Sequence, residues 1–274
     1  MKQKVVFFGN EKLATGIPEP RPLIREAVKQ AGFEIEAVVT GLEVPDHEAE
    51  LAVLSAHGQI LRQDVLQQFP LGIVNIHPSL LPVYRGPTPI EQAILDGSVK
   101  TGVSIMKITH EMDAGPIYKQ KTVHLTGNES KAKLAETLQK LGAEMLAEAL
   151  PAIANGSLKP RQQSHVDRDA SYTKLIKKSD GIIDWHKPAD VIEREIRAYL
   201  GWPGSRTTLF NKDVIITAAH VVPANFGEEP GYVEPVENTI LMIETANGRI
   251  CIDRLKPAGK KEMTAAEFLR GLKN

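Results

Sequence analysis

Leu71 to Gly86 reads LGIVNIHPSLLPVYRG, an apolar run that ends in an amide and an imidazole and then enters a proline-bracketed loop. An apolar run without polar interruption is the pattern of a strand covered on both faces, as in the middle of a parallel sheet. On a strand, residues two apart point to one side, so Asn75 and His77 share a face at the carboxyl end. Open α/β sheets bind ligands just beyond that end.

The flanking segments repeat the same alternation. VVFFG (5–9) is a continuous apolar run ending in Gly, and after the turn IPEPRP (17–22) the segment LIREAVKQA (23–31) has helical spacing and stops at Gly32. FEIEAVVT (33–40) reads as a strand, LAVLSAHG (51–58) as a strand running into a glycine turn, and RQDVLQQF (62–69) as a short helix. TPIEQAIL (88–95) begins with Thr and Pro, good residues for a helix start. TGVSIMKI (101–108) and PIYKQKTVHL (116–125) alternate at period two and predict antiparallel strands, and a long amphipathic helix follows over 130–153. This order predicts an α/β fold: a Rossmann-like, mostly parallel sheet with an antiparallel edge.

Beyond it the chain changes character. Residues 159–181 are polar and charged, a connection over the surface, and 184–201 contain a helix. From Gly204 short alternating runs separated by turns predict a smaller β-barrel-like, OB-like domain, closed by the helix TAAEFLRGL (264–272). The expected division is a catalytic domain over 1–165, a connector and helix over 166–200, and the barrel-like domain over 201–274.

Composition sets bounds. With 274 residues, 42% of them hydrophobic, two moderate cores are the natural expectation. A formal net charge of −1 excludes a basic polyanion-binding protein, so any nucleic-acid contact comes from a local patch. The single cysteine, Cys251, excludes an internal disulfide framework and a cysteine-clustered metal site, and reads as a small core residue in RICIDRL. No HExxH or comparable ligand spacing supports a metal, so none is expected. Gly9 is followed by NEKLATG, which lacks the three-glycine dinucleotide fingerprint, and there is no lysine-bearing phosphate loop. The opening apolar run is too short for a signal segment or a bilayer span; a cytoplasmic location without membrane contact is expected.

Asn75 or His77 alone reads as a strand-end polar group satisfied by backbone. Together they offer an amide donor, able to stabilise negative charge developing on an oxygen, and a group that exchanges protons near neutral pH. Asp113, in HEMDAG just after a predicted strand, is the third member: a turn residue in the plain reading, or a carboxylate that orients the His77 ring. Ser79 makes a poor nucleophile, because its loop lacks a G-x-S-x-G elbow. Ser79, Leu80, Leu81 and Pro82 present apolar side chains and backbone amides beside His77, suiting a flat, partly apolar ligand edge. His57, Gly58, Gln59 and Ile60 end the neighbouring strand and form the other wall.

At these residues the sequence resembles the folate-dependent formyltransferases. The resemblance rests on Asn75-x-His77, the SLLP of Ser79–Pro82, Arg85-Gly86 and the Asp113-Ala114-Gly115 turn, and continues through AHGQIL, IDW at 183–185, RAYLGWPG at 197–204 and LKPAGKKEM at 255–263. It implies Asn75, His77 and Asp113 as catalytic residues, with Gly58, Gln59, Ile60, Ser79, Leu80, Leu81 and Pro82 against 10-formyltetrahydrofolate, the formyl donor, and no metal. The last segments are similar to members that formylate initiator methionyl-tRNA, whose barrel-like domain contacts the tRNA; no obligate protein partner is implied. The chain departs from the family at Gly9-Asn10-Glu11, where G-T-P is usual, and at GLEVPDHEAE (41–50), short and acidic where tRNA-acting members carry a long basic loop. Lys256, Lys260 and Lys261, and Lys174, Lys177 and Lys178 in the connector, are the remaining basic clusters suited to phosphate. A sugar-amine formyltransferase uses the same triad and is the rival reading; a catalytically weak RNA-binding module on this fold is the third.

Overall fold

The computed structural model describes residues 3–9, 23–166, 168–223, 227–237 and 239–272, so the expected IPEPRP turn and Asn10-Glu11 lie outside the described residues. Chain contacts divide the protein into one unit over 1–93, 98–128 and 132–175, and a second over 94–97, 129–131 and 176–274.

Six strands form the sheet of the first unit: β1 (Lys4–Phe8), β2 (Glu34–Val39), β3 (Leu51–Leu54), β4 (Gly72–His77), β5 (Lys100–Lys107) and β6 (Ile117–His124). Their order is β2-β1-β3-β4-β5-β6. The first four are mutually parallel, and β5 and β6 are antiparallel additions. Continuous apolar sequence and central position coincide: β1 and β3 are buried along nearly their whole length, whereas the edge strand β6 has exposed positions. Val6, Phe8, Ala52 and Ile73 from three neighbouring strands pack with Val65 and Phe69 into one core.

The helices α1 (Leu23–Gln30), α2 (Gln63–Leu66), α3 (Pro89–Leu95) and α4 (Lys131–Ala154) connect and cover these strands. The close approach of α4 to β4 depends on Gly142, where a Cβ would come within 2.6 Å of Ile76 Cγ2. Because side chains alternate along a strand, Ile76 turned to α4 puts Asn75 and His77 on the opposite face. The strand expected to run through LAVLSAHG into a glycine turn stops at Leu54. Ala56, at φ 50°, and Gly58, at φ 71°, are left-handed and break the extended chain, so His57 to Ile60 leave the sheet as a loop.

In the second unit α5 (Ala189–Ala198) precedes β7 (Ser205–Leu209), β8 (Lys212–Val222), β9 (Val233–Val236), β10 (Ile240–Glu244), β11 (Arg249–Pro257), β12 (Met263–Thr264) and α6 (Ala265–Arg270). The sheet runs β7-β8-β11-β10-β9, with β12 on β11, and every pairing is antiparallel. Ile192 and Ile196 of α5, Ile216, Leu241 and Ile252 of the strands and Phe268 of α6 share its core. Thr264 and Glu267 start α6 with a reciprocal capping box, the Glu267 N–H donating to the Thr264 hydroxyl and the Thr264 N–H to Glu267 Oε2. Among the described residues no helix is long and apolar enough to cross a membrane.

Candidate active site

The carboxyl end of β4 carries two buried polar side chains, Asn75 and His77. Leu54, the last residue of β3, pairs in parallel register with Asn75, so the loop from Ser55 to Ile60 leaves the sheet beside it. Among the described residues nothing hydrogen-bonds to the Asn75 side-chain amide. Its polar atoms are not among the fully enclosed ones that lack a partner, so the amide reaches solvent at the sheet end and is open to a ligand.

His77 is fixed on both sides. Its Nε2 lies 2.9 Å from the Tyr84 carbonyl oxygen. A carbonyl only accepts, so Nε2 carries the hydrogen in that contact. Nδ1 then faces Asp113, whose Oδ2 is 3.7 Å away, close enough for electrostatic attraction and too long for a direct hydrogen bond. The same Oδ2 accepts the Gly86 N–H at 2.8 Å, which ties the Asp113 turn to the loop after β4. Asp113 is itself left-handed at φ 48°. Gly86 must be glycine: its φ is 109°, and a Cβ there would meet the Thr173 carbonyl oxygen at 2.9 Å.

A residue that motif reading misses holds this arrangement. The Gln163 side chain is buried and donates through Nε2 to the carbonyls of Asp113, at 2.7 Å, and Gly115, at 2.8 Å. Its Oε1 accepts from Arg85 Nε at 3.0 Å and Nη2 at 2.7 Å. Arg85 in turn donates through Nη1 to the Tyr172 hydroxyl at 2.9 Å. Arg85 of the loop after β4 is thus coupled to the Asp113–Gly115 turn through the Gln163 amide, and Gly86 through the Asp113 carboxylate.

The SLLP loop is built into the fold. Ser79 is wholly buried, its hydroxyl donating to Val83 O at 2.6 Å. Ser104, on β5, donates to Ser79 O at 2.6 Å and accepts the Leu81 N–H at 3.1 Å, while Gln120 donates to Leu81 O at 2.8 Å. Leu81 belongs to a small core with Met106 and Ile117, and Leu80 and Pro82 are also buried. Across the sheet end Gly58, Gln59 and Ile60 are exposed, whereas His57 is buried with its ring edge-to-face on Phe8 at 5.6 Å. Among the described residues neither ring nitrogen of His57 has a hydrogen-bond partner, and burial pushes its pKa below the ordinary histidine value.

In the second unit Lys256, Lys260, Lys261, Lys177 and Lys178 are all exposed, as is Lys174 of the first. Lys256 and Arg206 line a cavity of about 430 Å³ together with Thr207, Thr208 and Gly259.

Comparison with known proteins places both segments. Residues 21–150 match a formyl transferase model and residues 175–273 match the formyl transferase C-terminal domain. A methionyl-tRNA formyltransferase of Roseiflexus castenholzii is 43% identical over 233 residues, which is 84% of this chain and 73% of that protein. A second, from Roseiflexus sp. strain RS-1, is 41% identical over 265 residues, 92% of this chain and 80% of the relative. Among solved structures, HypX from Aquifex aeolicus in complex with tetrahydrofolic acid is similar at a TM-score of 0.71 and 19% identity, over 98% of this chain and 47% of HypX. At that identity the likeness is one of fold.

Proposed function

This chain belongs to the formyl transferase family, and on that premise we propose that it transfers the formyl group of 10-formyltetrahydrofolate to the free amine of initiator methionyl-tRNA. One observation carries the reading: relatives named for this activity align along the catalytic and the carboxyl-terminal segments together.

The residues suit such a reaction. As the amine attacks the formyl carbon, a new C–N bond forms, the bond from that carbon to the donor nitrogen breaks, and the proton lost by the amine is matched by one gained by the donor. The Asn75 amide, which no described residue occupies, donates to the formyl oxygen as it gains negative charge. His77 receives the amine proton at Nδ1, since Nε2 is engaged by Tyr84 O. Asp113 stabilises the imidazolium that results. Gly58, Gln59 and the 68%-exposed Ile60 supply a wall for the flat donor. Ser79, Leu80, Leu81 and Pro82 shape the opposite wall from beneath, their side chains being buried. Lys256, Lys260 and Lys261 hold tRNA phosphates.

The test is an acceptor comparison: formyl transfer to charged initiator tRNA against transfer to nucleotide-linked amino-sugars, with 10-formyltetrahydrofolate as donor. Efficient use of the tRNA with negligible use of the sugars is the expected result. The reverse preference overturns it in favour of a sugar-amine formyltransferase.

A further inference from the structure

Three metal-ligating side chains meet in the second unit, far along the chain from Asn75 and His77. His220 on β8 and Cys251 on β11 are direct partners in the antiparallel ladder, so their side chains project from the same face. The ladder shifts register between Ile252 and Arg254, which leaves Asp253 as the extra residue of a bulge, a device that re-aims a side chain. The Asp253 carboxylate reaches His220 Nδ1, with Oδ1 at 3.0 Å and Oδ2 at 3.1 Å. One ligand atom from each of His220, Cys251 and Asp253 lies within 4.8 Å of the other two.

We propose that His220, Cys251 and Asp253 form a three-ligand site for a borderline divalent transition ion, Zn²⁺ foremost, with water at the fourth position. Sulfur, imidazole nitrogen and carboxylate oxygen are the donors Zn²⁺ takes, and three protein ligands with an open position make a recurrent zinc arrangement. The charge balances as well: thiolate and carboxylate supply the two negative charges that a divalent ion needs, and the imidazole is neutral. The cation two residues before Cys251, Arg249, is already neutralised, pairing with Glu244 (Nε to Oε1 2.6 Å) and with Glu234. His220 and Asp253 are exposed, so an ion has access from solvent, while Cys251 is buried beneath them. A surface ion pair between His220 and Asp253 accounts for those two residues alone; the thiol placed within reach of both is what makes a site. Burial pushes the Cys251 thiol pKa up, so the metal must displace its proton on binding. No sequence motif announces this set, because strand pairing brings His220 to Cys251 from 31 positions away.

The test uses the full-length protein without a polyhistidine tag. Titration with Co²⁺ should give a thiolate-to-cobalt charge-transfer band that saturates at one ion per chain, and Zn²⁺ should displace it. Cys251→Ser should abolish the band. His220→Gln and Asp253→Asn should each keep it and weaken Zn²⁺ binding, read by competition with a chromophoric chelator, by more than about tenfold, the lower end of what losing even an outer partner of a ligand costs. If Cys251→Ser fails to fold, the two exposed-position variants decide. Absence of the band in the unmodified protein, or unchanged Zn²⁺ affinity in both His220→Gln and Asp253→Asn, overturns the proposal.

Discussion

Asp113 Oδ2 sits between two partners, 2.8 Å from the Gly86 amide nitrogen and 3.7 Å from His77 Nδ1. One oxygen therefore anchors the loop after β4 and faces the imidazole. Asp113→Asn keeps an oxygen available for Gly86 but removes the charge opposite His77. Turnover should fall by about 100-fold or more, the scale on which losing one preorganised electrostatic partner acts, with the circular dichroism spectrum unchanged. Asn75→Ala and His77→Ala should show losses of similar size in kcat with donor binding retained. Near-normal turnover in any one of the three removes that residue from the mechanism.

Gln163 provides a sharper test of how the site is held. Gln163→Glu keeps an acceptor for Arg85 but turns a carboxylate toward the Asp113 and Gly115 carbonyl oxygens, to which it cannot donate. Gln163→Ala leaves the same carbonyls and Arg85 without that partner. Each buried group left unsatisfied costs about 1–3 kcal/mol. Both variants should lower urea stability and reduce kcat more than they raise KM, because the Asp113 turn loses its anchor. If Gln163→Glu behaves as the parent does, the two carbonyl contacts do not position Asp113.

The contrast between Asp113 and Gln163 shows what the sequence makes legible. Asn75 and His77 were readable because the two-residue period of a strand is local, and the apolar run before them identifies a covered strand. Asp113 is readable because it follows the next strand, β5, in a recognisable turn. Gln163 sits fifty positions from Asp113 in a polar stretch, and nothing local distinguishes it from its neighbour Gln162. The inward turn of Leu81 against Met106 and Ile117 is not legible, since an apolar side chain in a loop gives no sign of which way it turns. The early end of β3 was hidden for a related reason. Ala56 has no intrinsic preference for the left-handed backbone that tertiary structure imposes on it.

Gly142 links helix packing to the site. In a helix interior Gly→Ala ordinarily gains about 1 kcal/mol. Here the new methyl meets Ile76 Cγ2 at 2.6 Å, and overpacking of a dense core costs about 1–3 kcal/mol. The second effect should win, so Gly142→Ala should lower the melting temperature and, by shifting β4, the turnover. Adding Ile76→Leu, which has no branch at Cβ, should restore part of both. A Gly142→Ala protein more stable than its parent shows that α4 moves away freely.

His57 predicts an acid-linked loss of stability. Its pKa is lowered in the folded protein by burial, so the unfolded chain takes up the proton first as pH falls. The native state is therefore favoured most above the ordinary histidine pKa of about 6.5 and loses that advantage as pH drops from there toward the lowered folded value. His57→Phe removes the titration and two unpartnered nitrogens while keeping a ring against Phe8. Urea unfolding on either side of that range should show a smaller acid loss in His57→Phe than in the parent, other histidines cancelling in the comparison. Equal losses in the two proteins show that His57 takes up its proton at the same pH in the folded and unfolded states, so that burial does not lower its pKa.

The last prediction concerns how a tRNA is held. Residues 41–50, GLEVPDHEAE, cannot attract phosphates, since their net charge is negative. Lys256, Lys260 and Lys261 are exposed in the second unit and free to neutralise phosphate oxygens. Each such contact releases condensed counterions, so each one lost should lower the slope of log affinity against log salt by about one unit. Changing all three lysines to Ala should therefore weaken binding of charged initiator tRNA and flatten its salt dependence by up to about three units. Turnover of a minimal acceptor that lacks the tRNA stems should stay nearly unchanged, because Asn75, His77 and Asp113 are untouched. Filter binding over a salt series, with kinetics on both acceptors, separates the outcomes. A triple variant with unchanged tRNA affinity and slope places the phosphate contacts elsewhere, with Lys174, Lys177 and Lys178 next to be tested.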